Sequence, residues 1–125
     1  MKMLLKLVLL SSLALAFTAA YSHGVSEPQH GGIVEAAGDM SIELVTRDGR
    51  VEVYLTDDGE GVSTKGMSGK VKVDGPDGSY DITLEPAGDN SFSASGVSIP
   101  KGSEALILIT LANGYSKIAA KFTID

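Results

Sequence analysis

The 125-residue sequence carries 10 basic and 16 acidic side chains, a formal charge of −6, and no cysteine. This balance argues against nucleic acid and anionic membrane as partners, since both are recognised through basic patches. The absence of cysteine excludes disulfides, thiolate metal sites, thiol catalysis and lipid attachment through a thiol.

Met1–Ser22 reads as a secretory signal peptide. Lys2 and Lys6 make a basic start, an apolar run extends from Leu7 to Phe17, and small residues follow. The run is shorter than the about 20 apolar residues that span a bilayer as a helix. A soluble exported protein is therefore expected, with no stable membrane anchor after cleavage, and a bacterial-style signal on a chain without disulfides suggests the periplasm. Losing Lys2 and Lys6 leaves 8 of the 10 basic residues against all 16 acidic ones, or −8. Roughly 100 residues then remain, enough for one domain with a single core.

Residues 23–31 are polar, contain Gly and Pro, and show no periodicity, so they are read as a flexible arm. Both histidines of the chain, His23 and His30, lie on it. From Gly32 to Asp125 the pattern is one of short strands. Ile33–Ala36 and Met40–Thr46 flank Ala37-Gly38-Asp39, and Met40, Ile42 and Leu44 share one parity while Ser41 and Glu43 take the other. Asp48-Gly49 is a hairpin signal, leading to Val51, Val53 and Leu55 on the returning strand. Asp57–Ser68 is a polar connection that could cross between sheets. Lys70–Asp74 and Ser79–Glu85 alternate on either side of Gly75-Pro76-Asp77-Gly78, and Pro86–Asn90 turns into a short strand around Phe92. Ala105–Ala112 is apolar on both parities, the mark of a strand covered on both faces. Asn113-Gly114 is read as a tight hairpin into Tyr115–Ile124, with Ile118, Ala120, Phe122 and Ile124 inward. The expected fold is all-β, an Ig-like antiparallel β-sandwich of about seven or eight strands over residues 32–125, with a small barrel as the alternative.

Catalysis is not expected. Both imidazoles sit on the arm, a poor place for a preorganised nucleophile–base pair, and no phosphate-cradling or dinucleotide motif follows a strand. Metal binding is the sharper reading, because imidazole and thioether are the soft or borderline ligands that remain without cysteine. Cleavage after Ala20 would leave Tyr21-Ser22-His23, whose amine, amides and imidazole suit square-planar Cu(II) or Ni(II). Cleavage after Ser22 would make His23 the terminus, chelating through its amine and ring, with His30 as a third ligand. Met67, in the Gly-flanked loop Lys65–Gly69, is either an exposed thioether for Cu(I) or adaptable core filler. Met40 is assigned to packing and Glu43 to solvent. The metal-ligand candidates are His23, His30 and Met67, with copper as the ion and zinc as the alternative.

Four segments carry a resemblance: Pro28-Gln29-His30-Gly31-Gly32-Ile33-Val34, Gly38–Val45, Val53-Tyr54-Leu55 and Thr64–Gly69. They resemble small exported bacterial His-Gly-Gly proteins, similar to the amino-terminal region of periplasmic adaptor subunits of heavy-metal (cobalt–zinc–cadmium or copper) efflux pumps. The resemblance covers nearly all of the chain after the leader and implies a β-rich periplasmic domain that handles transition metals. His30 maps most directly onto the motif. Many relatives carry a histidine where this chain has Ser41, and the helical hairpin and barrel regions of an adaptor are missing. The expected role is therefore metal buffering, delivery or efflux support, with a heavy-metal efflux system or another periplasmic carrier as partner. The alternative is a metal-independent interaction module of the envelope.

Overall fold

Two Asp-Gly pairs organise the first half of the chain in the computed structural model, which describes residues 26–125. The leader, both proposed cleavage positions and His23 lie outside the described residues. Strand β1 (Ile33–Ala37) turns into β2 (Met40–Arg47), which returns as β3 (Arg50–Asp57), which in turn meets the short β4 (Glu60–Gly61). Between β2 and β3, Asp48 and Gly49 have φ of 50° and 72°; between β3 and β4, Asp58 and Gly59 have 53° and 83°. Two successive positive φ values make the type I′ turn, whose twist matches that of paired strands. The first turn was expected from sequence. The second lies inside the stretch read as a plain polar connection.

The chain then crosses to a second sheet formed by β5 (Ser68–Gly75), the first part of β6 (Gly78–Ala87), β8 (Glu104–Thr110) and β9 (Lys117–Thr123), while β7 (Ser91–Ser95) returns to the first sheet beside β3. All pairings are antiparallel, and the strand order is β1-β2-β3-β7-β6-β5-β8-β9, with β4 beside β3. The described fold is thus all-β, a nearly closed sandwich, and it contains no helix. Strand β6 belongs to both sheets. Its first part pairs with β5 up to Leu84, and Glu85–Ala87 pairs with β7. Pro86 sits where β6 has already left β5, so its missing N–H costs no bond on that side.

Between the sheets lies one core, with Ile42, Leu44, Val51, Val53, Leu55 and Phe92 from the first sheet and Val71, Ile82, Leu84, Ile107, Ile109 and Phe122 from the second. The inward parity expected for β2, β3 and β9 holds, with Ile118 only half-buried. Two expectations need correction. In β8, Ala105, Ile107 and Ile109 are buried but Leu106 and Leu108 are only half-buried, so one face of this strand is partly open. Its apolar outward side chains lie in register with Lys70 and Lys72 on β5 and Lys121 on β9, whose aliphatic stems can shield them. In addition, Asn113-Gly114 is not a two-residue hairpin. A six-residue loop is closed by Leu111 N–H to the Ser116 carbonyl (2.8 Å), while Asn113 Oδ1 accepts from the N–H groups of Tyr115 and Ser116. The asparagine side chain caps this loop rather than adopting a positive φ itself.

Candidate functional site

Strand β2 departs from simple alternation. Ile42 and Leu44 face the core, yet Ser41, Glu43 and Val45 on the opposite face are also buried, at 7, 6 and 3% exposure. A carboxylate in that position must be paired or hydrogen-bonded, because stripping water from an ionised group is costly. Its partners come from the arm. Glu43 Oε1 accepts from the Gln29 N–H at 3.1 Å and lies at hydrogen-bond distance, 3.0 Å, from the His30 Nδ1. Glu43 Oε2 accepts from the His30 and Gly32 N–H groups, both at 2.9 Å. Three main-chain amides of one short turn thus converge on a single carboxylate, a nest of the kind that binds anions. From Ser26 onward the arm expected to be flexible is laid on the sheet, and the solvent role expected for Glu43 is corrected by its burial and these four bonds.

The two glycines of His30-Gly31-Gly32 have separate reasons to be there. Gly31 adopts φ of 78°, which bends the chain so that its neighbours' amides face one carboxylate. Gly32 lies so close to β2 that a Cβ would collide with the Leu44 carbonyl oxygen and stand 2.8 Å from Val45 Cγ2. Further anchors extend the clasp: Ser26 N–H donates to Ser41 Oγ at 3.3 Å, and Arg47 Nη2 donates to the His30 carbonyl at 2.8 Å.

The His30 ring lies flat on Tyr54, the β3 residue paired with Glu43, with centroids 3.6 Å apart and planes 5° from parallel. Tyr54 donates its hydroxyl to Glu52 at 3.2 Å. Burial, and then the charge and acceptance of Glu52, hold its phenol above the ordinary tyrosine value. For Glu43, burial pushes the pKa upward, but the His30 ring and the Gly32, His30 and Gln29 amides outweigh it, and the net value is lowered. The crevice between arm and sheet leaves only about 10 Å³, scarcely room for one water. The other ring nitrogen of His30, Nε2, has no hydrogen-bond partner among the described residues. The His30 side chain is 37% exposed.

Met67 is placed elsewhere. It is half-buried, packs against the central core and donates its N–H to the Thr64 carbonyl at 2.9 Å. It does not line the His30 crevice, which is formed by Ser26, Glu27, Gln29, Val34, Glu43, Tyr54 and Thr56. Among the described residues no group of three or more His, Asp or Glu is arranged to hold a metal ion. His30 is thus the one candidate ligand that the structure fixes on the sheet; Met67 is in the setting of a core filler. Glu43, Arg47 and Tyr54 were missed as site residues. One signal was present: Val45 is apolar at the outward parity of β2, as a covered face requires.

Comparison with family models, with curated proteins and with solved structures finds no match. The function must be argued from the site.

Proposed function

We propose that this chain is an exported, periplasmic transition-metal-binding protein, with copper as the favoured ion and zinc as the alternative. His30 is the ligand fixed to the sheet, and His23 supplies a second imidazole from the leading part of the arm. The observation that carries this reading is the His30–Glu43 bond. It engages Nδ1 and leaves Nε2 without a hydrogen-bond partner among the described residues, the arrangement in which a carboxylate behind a histidine raises its basicity as a metal ligand. The resemblance to the amino-terminal region of heavy-metal efflux adaptors supports the same chemistry and suggests an efflux system or a second carrier as recipient. No catalytic role is assigned.

Titration of the mature protein with Cu(II) and Zn(II), beside a His23→Ala/His30→Ala double variant, tests the reading. Affinity should fall at least tenfold in the variant and weaken below the pH at which imidazole protonates. Equal affinity in the two proteins would refute it.

A second reading, an envelope interaction module that needs no metal, is favoured by a different observation. The clasp is satisfied by its own hydrogen bonds, and an open groove of about 500 Å³ lies over Leu106 between Lys72, Tyr80, Glu104 and Lys121. Capture of the same envelope partner with metal stripped and with metal restored would select this reading over the first.

A further inference from the structure

We infer that Glu43 is a positioning residue, whose carboxylate locks the His30 ring as the Nδ1–H tautomer and so presents Nε2 as the free lone pair. The consequence for metal binding rests on the reading above; the tautomer itself does not.

Donor and acceptor supply around Glu43 selects the tautomer. Glu43 lies in a nest of three amide N–H groups, which can only donate, and these take lone pairs on both carboxylate oxygens. An ionised carboxylate has no proton to offer in return. The remaining contact, His30 Nδ1 to Oε1 at 3.0 Å, is a hydrogen bond only if Nδ1 carries the proton. A neutral imidazole protonated on Nδ1 is unprotonated on Nε2, the form in which Nε2 ligates a metal. The other contacts remove the ring's freedom to turn over. The ring is stacked on Tyr54, and its own main chain is held on either side, by the N–H to Glu43 and by the carbonyl accepting from Arg47. Turning the ring over to bring Nε2 to the carboxylate would have to take place within a crevice of about 10 Å³. Glu43 thus acts through His30, and the same four bonds that dock the arm select the tautomer.

The test is ring ¹⁵N spectroscopy of metal-free mature protein, at a pH where His30 is neutral. The wild-type ring is expected as Nδ1–H. Glu43→Gln should lose this preference, since a carboxamide has one oxygen acceptor and adds two donors to a nest of donors. Ser41→Ala removes the Ser26 anchor of the arm, which makes no contact with the ring, and should keep it. Zn(II) and Cu(II) titrations of the same proteins should then show about 10–100-fold weaker binding for Glu43→Gln, against little change for Ser41→Ala. A wild-type ring found as Nε2–H overturns the inference, as does an unchanged ring in Glu43→Gln or an equal loss in Ser41→Ala. If the wild-type protein binds neither ion, the metal reading falls, and the ring spectrum still decides the tautomer.

Discussion

Gly31 and Gly32 are adjacent and chemically identical, yet the clasp predicts opposite substitution rules for them. At Gly32 the constraint is space, because a Cβ meets the Leu44 main-chain oxygen and the Val45 side chain. Neither can withdraw without distorting β2, whose Leu44 is part of the core. Overpacking of this kind costs about 1–3 kcal/mol, and a larger side chain at 32 should cost at least as much as Ala. At Gly31 nothing lies within 4 Å of a built Cβ, and the constraint is φ of 78°. The penalty there is conformational, roughly 1–2 kcal/mol for Ala, and Asn, which tolerates the left-handed region, should be milder than Ala. Urea unfolding gives the stabilities, and hydrogen exchange at the Gln29, His30 and Gly32 amides reports whether the arm stays docked. For a domain of this size 1 kcal/mol corresponds to a Tm shift of about 4–8 °C. The reasoning is refuted if Gly32→Ala keeps wild-type stability and protected arm amides, or if Gly31→Asn is no milder than Gly31→Ala.

Acid should release the arm, with a definite sign. Glu43 has a folded pKa below its ordinary value of 4.5, so its contribution is complete above that value and is lost as pH falls through the lowered one. Exchange protection of the arm amides should therefore hold from neutrality down to the ordinary carboxylate range and collapse below it; protection unchanged at lower pH would contradict the clasp. Met67→Leu should leave copper affinity within a fewfold of wild type and cost less than about 1.5 kcal/mol, as volume-conserving core changes do, whereas a large loss of Cu(I) binding would restore Met67 as a ligand. Phe92→Ala removes a fully buried ring from the centre of the core and should cost about 3–5 kcal/mol by denaturant unfolding; a loss below 1 kcal/mol would deny that the two sheets share one core.

The strands were legible because local periodicity and turn chemistry agree with the final packing. Val51, Val53 and Leu55 alternate and are buried, and Asp48-Gly49 adopts the conformation its residue types favour. The site was hidden for the opposite reason. Glu43 looks like any outward strand carboxylate until a segment from outside the strand covers it, and that cover depends on the fit of Gly32 against β2. Parity can say which face a residue takes, but not what lies over that face. Asn113-Gly114 failed similarly, since the Asn113 side chain serves as an acceptor and the loop widens around it. His30 was singled out from sequence as a candidate, while Glu43, Tyr54 and Arg47, which contact it, were not.

The divided allegiance of β6 has a consequence for how the molecule assembles. Val53 and Phe92 pair directly, although the whole of β5 and β6 lies between them in the chain. That closure is entropically unfavourable until the intervening segment has contracted into the β5–β6 hairpin. Glu85–Ala87 can then carry β7 back to β3. The half of the sandwich that bears the histidine clasp is thus expected to be completed late, after the half that bears no ligand has formed.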